Sequence, residues 1–408
     1  MSATGIDTSQ TGQRRVFAVA AGLFAIWGLG LWLYNSLFFK FAHFFAFGPA
    51  TIAAMLAAFH LAYIALVIPA VLFHRQFGFK LGVLAGLCVF GIGAFLLYLA
   101  LIQHSAAYLC GAVLVIGACG AWLDTSLNPL AAISGPAKTI VPRMNLAHAF
   151  NGTGLFAAYA IGVTVLGKDY NLTSGTAQGT ARPYVLVGLG AILLAFLVEQ
   201  IALPAFAAKG FDRVRGNVRR LHAELRTVAG DRHFLGAALA LGAYCAVLTV
   251  LWTANYRYQH IEMPDHAVSI LERGWCWFAI GRIAGAMLMR WFDPIRLLIV
   301  SACLCLAAIV IATLAGGVTG WAALLSASLF LAITYPTVFG SALAGHPARI
   351  AAATALLAIA AGIGNALSSL TTTLALDAAM LNPHTVIVLA LPLEAVVLAY
   401  ALKTRKAA

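Results

Sequence analysis

The chain has very little charge. Asp, Glu, Lys and Arg together make up only 9% of its 408 residues, whereas apolar residues make up 62%. A soluble domain of ordinary composition carries about 25% charged residues. A surface that keeps a folded monomer in water cannot be built from this composition, which excludes a soluble globular protein. The composition predicts an all-α integral membrane protein with several spans.

The motifs of enzymes and metal sites are also absent. There is no Gly-x-Ser-x-Gly, no His-Glu-x-x-His and no phosphate-binding loop, so the sequence indicates no enzyme and no cofactor. The seven cysteines fit neither a metal nor a disulfide spacing, and we expect all of them to be small buried apolar residues. They lie within apolar runs, at Cys88, Cys110, Cys119, Cys245, Cys276, Cys303 and Cys305.

Apolar runs long enough to span a bilayer occur twelve times along the chain. A spanning helix needs about 20 predominantly apolar residues. The predicted spans are 16–39, 51–74, 81–102, 106–134, 144–167, 183–206, 234–258, 267–291, 295–315, 320–344, 350–373 and 384–402. Several of them contain Gly or Pro, which spanning helices tolerate.

The positive charges fall mainly on one side of these spans. If the N-terminus lies inside, 19 of the 25 Lys and Arg residues lie in inside segments, and only Lys40, Lys168 and Arg182 lie in outside segments. This asymmetry predicts a multi-pass protein of the cytoplasmic (inner) membrane with both termini in the cytoplasm. The net charge of +12 therefore needs no nucleic acid partner, and the expected surrounding is the lipid bilayer.

A long basic connection divides the spans into two sets of six. We expect an N-terminal bundle over 1–206, a cytoplasmic linker over 207–232 and a C-terminal bundle over 233–408. The turns that follow the second and the eighth spans, HRQFGFK and MRWFDPIR, both combine basic residues with a Phe. This pattern favours two six-helix bundles related by a pseudo-two-fold axis, an architecture that alternates access to a site between its halves.

One carboxylate lies deep inside an apolar run. A charge at the centre of a bilayer costs at least about 2.5–3.5 kcal/mol, so a chain keeps one where it faces a cavity, a partner or a transported ion. Asp124 is therefore the first functional candidate. Asn128 lies four residues later on the same helix face, and together they suit a ligand rich in hydroxyl groups. A helix–helix hydrogen bond within the bundle is the alternative for both residues.

Other polar and aromatic residues within the spans could line the same site. We expect His148 and Asn151 to face Asp124, with interhelical packing as the alternative for Asn151 because Gly152 and Gly154 follow it. Trp252 and Asn255 combine an aromatic face with a polar group, as sugar pockets do, although an interfacial aromatic belt is the alternative. The full set of binding candidates is Trp27, Asn35, Asp124, Asn128, His148, Asn151, Trp252, Asn255, Tyr335 and Asn365. Arg75, Arg143 and Arg282 are candidates for structural or gating roles, and the roles of Glu272 and Arg273 stay open.

Three segments carry a resemblance to a known family. They are WLDTSLNPL from Trp122, the pair Gly135–Pro136, and RMNLAHAFNGTG from Arg143. Together they resemble the fucose–proton symporter family of the major facilitator superfamily, which includes bacterial glucose/galactose transporters. The likeness continues through WTANYRY, IGRIAG and YPTVFG, so it spans both halves of the chain.

The resemblance implies the twelve-helix major facilitator fold, a sugar site between the halves, proton-coupled uptake of a hexose or 6-deoxyhexose, and a working monomer. By position, Asp124 would be the carboxylate that links sugar and proton. His148 stands where the family usually has Gln, while Asn151, Arg143 and Arg282 match the family residues.

The first span departs from the family pattern. The family usually has a carboxylate about eight residues after a Trp, and Asn35 occupies that position here. An amide cannot titrate. Proton coupling must then rest on Asp124, helped by His148 or Glu272, or else the chain is an uncoupled sugar uniporter. An exporter of amphipathic drugs or lipids is a third reading that the apolar spans allow.

Overall fold

The computed structural model describes residues 10–166, 177–201, 212–262, 274–375 and 382–407. Within these ranges every regular element is a helix, and no strand occurs. The first half contains α1 Gln10–Phe44, α2 Pro49–Ile102, α3 Ala106–Ile133, α4 Ile140–Leu166 and α5 Ala177–Glu199, followed by α6 Asp212–Ala229. The second half contains α7 Arg232–Glu262, α8 Gly274–Leu288, α9 Pro294–Leu314, α10 Gly317–Leu331, α11 Thr334–Ala344, α12 Ile350–Thr373, α13 Pro383–Val388 and α14 Ala390–Ala407.

The long helix α2 is two spans joined by a sharp turn. Its backbone leaves the helical region at Gly78, where φ is +88°, a conformation that favours glycine. In a continuous helix, residues eight apart are separated by about 12 Å. Here a Cβ on Gly82 would lie 2.0 Å from His74 Nδ1, so the chain folds back between these residues. The two arms of α2 correspond to the predicted spans 51–74 and 81–102.

Every predicted span overlaps a helix or a pair of consecutive helices. The tenth span consists of α10 and α11, and the twelfth consists of α13 and α14. Pro336 lies in the first turn of α11, where the missing N–H costs little. By length and composition, eight stretches among the described residues are apolar enough to cross a membrane, with both arms of α2 falling in one stretch. The prediction of an all-α membrane fold is confirmed.

The two halves share a local feature that supports their internal symmetry. A short 3₁₀ turn precedes α4 at Ala137–Thr139, and another precedes α12 at Pro347–Arg349. In both turns an alanine precedes a basic residue, and a glycine lies a few residues before this pair. They connect the fourth span to the fifth and the tenth to the eleventh, which are equivalent positions in a six-helix repeat.

One end of the bundle is basic. We define this basic end by the short turns that contain Arg75, Lys138, Arg290 and Arg349, together with the polar helix α6. At this end the two halves touch. Asn145 Nδ2 of α4 donates a hydrogen bond of 3.0 Å to Thr337 Oγ1 of α11. Gly340 makes the approach close, because a Cβ there would lie only 3.1 Å from Val141 Cα.

The outer surface of the spans is as apolar as their interior. Large side chains such as Leu186, Leu239 and Leu314 are strongly exposed, as expected of helices that face lipid. The prediction that all cysteines are buried is wrong for Cys88, Cys110 and Cys303, which are exposed. Cys119, Cys245, Cys276 and Cys305 are buried. Because lipid tails and protein cores are similarly apolar, hydropathy does not tell the two surfaces of a spanning helix apart.

Candidate functional site

Asp124 projects from α3 into the space between helices. Its side chain is only partly buried, whereas its neighbours Leu123 and Thr125 are almost fully buried. The hydroxyl of Tyr63, on the first arm of α2, donates a hydrogen bond of 2.9 Å to Asp124 Oδ2. The Trp27 indole of α1 lies within hydrogen-bonding range of the same carboxylate. Asp124 thus accepts a hydrogen bond from Tyr63 and has the Trp27 indole nearby.

A glycine one turn before Asp124 leaves room for these rings. A Cβ on Gly120 would lie 3.0 Å from the Tyr63 ring and 3.4 Å from the Trp27 ring. A Cβ here would therefore crowd the Tyr63 ring, whereas it would only touch the Trp27 ring. Trp27 is itself almost fully buried and packs edge-on against Phe90, with ring centroids 6.4 Å apart.

Asn128 and His148 form a buried pair behind the carboxylate. Asn128 Nδ2 donates to the backbone oxygen of Asp124 at 3.0 Å, and Asn128 Oδ1 lies 3.1 Å from His148 Nε2. With the amide oriented in this way, the oxygen accepts and His148 Nε2 carries the proton. His148 Nδ1 is buried without a hydrogen-bond partner. The amide of Asn128 is thus used within the N-terminal half.

Arg282 connects the two halves at the level of this pair. Its Nη1 donates to Asn151 Oδ1 at 2.5 Å and to the backbone oxygen of His148 at 3.2 Å. Asn151 Nδ2 in turn donates to the backbone oxygen of Phe24 on α1, at 3.1 Å. The guanidinium carbon lies 4.5 Å from the Phe278 ring centroid, and the cation is within electrostatic range of Asp124. Asn151 thus joins α1, α4 and α8.

The facing wall comes from α7, α11 and α12 and contains two partly exposed candidates. Tyr335 lies 5.2 Å from the His148 ring and 6.0 Å from the Tyr244 ring, measured between centroids. Asn365 Oδ1 accepts a hydrogen bond of 3.1 Å from Thr249 Oγ1. The structure therefore brings Tyr335 to the group formed by Asp124, His148 and Arg282.

Trp252 and Asn255 lie further along α7. Trp252 is partly exposed, and its ring centroid lies 5.4 Å from that of Phe278. The Phe278 ring is the one that lies under the Arg282 guanidinium. Asn255 is buried and accepts a hydrogen bond of 3.0 Å from Trp321 Nε1 of α10. Trp252 therefore adjoins the central group, while Asn255 is bonded within the C-terminal half.

Arg75 and Arg143 lie at the basic end, away from this group. Arg75 forms an ion pair with Glu224 of α6. Arg143 donates from Nη1 to the Pro136 oxygen at 2.8 Å and from Nε to the Ala131 oxygen at 3.2 Å, so it satisfies carbonyls at the end of α3. The side chain of Asn35 and the residues Glu272 and Arg273 lie outside the described part of the chain.

Sequence reasoning missed three buried polar groups. Tyr63 bonds Asp124 directly, but a single Tyr in an apolar run gives no distinctive signal. Tyr244 lies within hydrogen-bonding range of Arg282. Glu394, in the last span, is fully buried. The rule that identified Asp124, a carboxylate inside an apolar run, would also have found Glu394.

Comparisons with known proteins agree with this architecture. No protein-family model matches the chain. Over 346 residues the chain is 28% identical to the L-fucose-proton symporter of Escherichia coli (strain K12), covering 79% of this chain and 78% of the relative. It is 24% identical over 304 residues to a glucose/galactose transporter of Brucella abortus, covering 73% of each. These relatives are transporters rather than enzymes.

A solved structure shows the fold. The crystal structure of the major facilitator superfamily transporter FucP in the outward conformation superposes with a TM-score of 0.80 at 24% identity. The alignment covers 94% of this chain and 97% of that one. The spanning helices and the bacterial relatives support a multi-pass inner-membrane protein. The chain therefore has the major facilitator fold and is similar in sequence to an L-fucose-proton symporter and to bacterial glucose/galactose transporters.

Proposed function

We propose that the protein takes up a monosaccharide, a hexose or 6-deoxyhexose, by symport with a proton and by alternating access. The observation that carries this proposal is Asp124, a partly exposed carboxylate between the helices, hydrogen-bonded by Tyr63. Relatives described as an L-fucose-proton symporter and a glucose/galactose transporter support the substrate class and the coupling ion.

The side chains around Asp124 suit a sugar. The carboxylate accepts hydrogen bonds from hydroxyl groups, and the partly exposed Tyr335 offers an aromatic face on which the C–H face of a pyranose packs. Trp27 is almost fully buried and would orient the carboxylate. Asn151 and Arg282 bond each other. Their remaining N–H groups would donate to ring or hydroxyl oxygens of the sugar. The sugar would thus be held between the N-terminal and C-terminal halves.

Coupling follows from the position of the charges. Asp124 belongs to the N-terminal half, whereas Arg282 belongs to the C-terminal half and lies within electrostatic range of it. Protonation of Asp124 removes an attraction between the halves, and deprotonation restores it. The proton thereby biases the equilibrium between conformations that open to opposite sides of the membrane.

An uncoupled sugar uniporter is the second candidate function. The observation that favours it is Asn35, which replaces the usual carboxylate of the first span with a group that cannot titrate. A uniporter would exchange labelled sugar by counterflow but would not accumulate sugar against its gradient. Its sugar exchange would not depend on a pH gradient.

We also propose a topology for the chain in the membrane. Both termini would lie in the cytoplasm, with the basic end of the bundle on that side. The linker 207–232 would join the bundles 1–206 and 233–408, and the monomer would be the working unit. Sugar, protons and the bilayer would be its partners.

The test is sugar uptake into proteoliposomes under an imposed pH gradient. Asp124→Asn should accumulate less sugar than the wild-type protein, because a coupled proton has lost its site. Asp293→Asn is a matched control, since Asp293 caps α9 by accepting from Arg296 N at 2.9 Å and Asn caps equally well. Wild-type accumulation by Asp124→Asn would refute the coupling role, and counterflow without accumulation by the wild-type protein would favour the uniporter.

A further inference from the structure

Glu394 is a carboxyl group buried in the middle of the last span. It lies near the centre of the apolar stretch Pro383–Lys406, and its residue is 0% exposed. Among the described residues, the group placed to bond a carboxyl oxygen is the Cys305 thiol, a weak donor. Burial of a carboxylate without a hydrogen bond or counter-ion costs several kcal/mol or more, whereas a neutral acid in the same place costs far less. The packing therefore accommodates the protonated form.

The groups that face Glu394 do not neutralise a charge. On α9 the Cys305 thiol lies close to the carboxyl group, but a thiol is a weak donor. On α7, Tyr244 is within electrostatic range. The one titratable side chain of α13, His384, has its Nδ1 3.0 Å from the backbone oxygen of Ala312. Among the side chains that the structure describes, no Lys, Arg or His forms an ion pair with Glu394.

Tyr244 links this carboxyl group to the candidate site. Its hydroxyl is within hydrogen-bonding range of Arg282, the cation that bonds Asn151 and is within electrostatic range of Asp124. Tyr244 is fully buried, and it is within electrostatic range of Glu394. A movement of α7 against α8 and α14 would therefore change the surroundings of Arg282 and of Glu394 together. Glu394 is connected to the site without lining it.

We propose that Glu394 is a second proton-carrying group of the transport cycle, located in the C-terminal half. This inference rests on the proposed proton symport. Glu394 carries its proton in the described conformation. When the halves rearrange and water reaches the group, its O–H bond breaks, the proton passes to that water, and a carboxylate remains. The group thereby supplies the titratable carboxyl that Asn35 no longer provides.

Two proton-carrying groups would raise the limit to which sugar accumulates. If Asp124 and Glu394 each carry one proton per sugar, removal of one group lowers the limiting accumulation ratio about tenfold per unit of pH gradient, because each pH unit per proton is worth about 1.4 kcal/mol. Glu394 does not touch the sugar, so binding and counterflow should remain. The change should be confined to coupling.

The experiment compares Glu394→Gln, Glu394→Asp and the control Asp293→Asn in proteoliposomes. Sugar counterflow and accumulation under a pH gradient, with the membrane potential clamped, are measured on the same preparations. We expect Glu394→Gln to keep counterflow while its accumulation limit falls, and Glu394→Asp to recover part of that limit. Unchanged accumulation and an unchanged proton-to-sugar ratio in Glu394→Gln would overturn the proposal. So would a parallel loss of counterflow and accumulation, which would indicate a structural role.

An infrared measurement separates this inference from the proposed symport. The wild-type protein should show the C=O stretching band of a protonated carboxylic acid that Glu394→Gln lacks, and the band should change when the sugar gradient drives the cycle. If the wild-type protein exchanges sugar but never accumulates it, the proposed symport fails; the band then shows whether Glu394 is still protonated. Absence of the band in an actively accumulating protein overturns the role of Glu394 alone.

Discussion

At the scale of single residues, the site depends on polar groups that bond one another before any ligand is bound. Asn128 bonds both the backbone of Asp124 and the ring of His148, and Arg282 bonds both Asn151 and the backbone of His148. His148 is thus held from two sides, and its ring packs 4.7 Å from Phe24 between centroids. Replacing His148 should therefore disturb the orientation of the side chains that bond it.

Two substitutions of His148 should behave differently. In His148→Gln, the new amide can still donate to Asn128 Oδ1, so we expect near wild-type thermal stability and retained sugar transport. In His148→Ala, Asn128 Oδ1 is left buried without a donor, which costs about 1–3 kcal/mol of folding free energy. Thermal unfolding in detergent measures the difference. Equal stabilities of the two variants would show that the bond to Asn128 contributes nothing.

The charge pattern of the sequence accounts for part of this site. Asp124 was found because a carboxylate in an apolar run is costly. Tyr63 and Tyr244 were missed because a Tyr is common in apolar runs, and only the packing of α2 and α7 brings their hydroxyl groups to Asp124 and Arg282. Contacts between distant segments are set by helix packing, which a single sequence does not specify.

At the scale of secondary-structure elements, the spans themselves were predictable but their breaks were not. A length of about 20 apolar residues identifies each span. The interruption between α10 and α11 and the fold-back within α2 at Gly78 depend on local backbone geometry. The contacts of the turns at the basic end were not predictable either, because their polar side chains join elements that are far apart in sequence.

The turn between α6 and α7 should make stability depend on acid pH. Asp231 accepts a 2.8 Å hydrogen bond from His233 N and pairs with His346 at 3.1 Å, between α11 and α12. Partial burial acts to raise the pKa of Asp231. The backbone N–H groups of His233 and Phe234 and the two histidines outweigh it, so the pKa is lowered. A lowered folded-state pKa stabilises the protein above the unfolded value and stops doing so as pH falls through the folded value.

We therefore expect wild-type and Asp231→Asn melting temperatures to converge as pH falls below about 4. At neutral pH the wild-type protein should be the more stable of the two, by a small margin because the Asp231 side chain is 41% exposed and its charge is screened by solvent. The measurement is thermal unfolding over a pH series, with Asp293→Asn as the control. A difference that stays constant through this pH range would contradict the role of the Asp231 charge.

At the scale of the whole molecule, the proposed alternating-access cycle requires the contact at the basic end to exist in only one of the two conformations. Met144 of α4 and Gly340 of α11 come from opposite halves, and a Cβ on Gly340 would lie 3.4 Å from Met144 Cβ, close to disulfide geometry. Ala94 and Gly188 both lie in the N-terminal half, and a Cβ on Gly188 would lie 3.6 Å from Ala94 Cβ. The first pair must separate when the basic end opens, whereas the second need not.

In a chain without its native cysteines, oxidation of Met144→Cys with Gly340→Cys should stop sugar counterflow, and reduction should restore it. The bond would hold the two halves together at the basic end and so trap one conformation. Oxidation of Ala94→Cys with Gly188→Cys should leave counterflow nearly intact, since that bond lies within one bundle. If the inter-half disulfide forms quantitatively and counterflow continues, the halves do not separate at the basic end during transport, and the proposed alternating-access cycle is wrong.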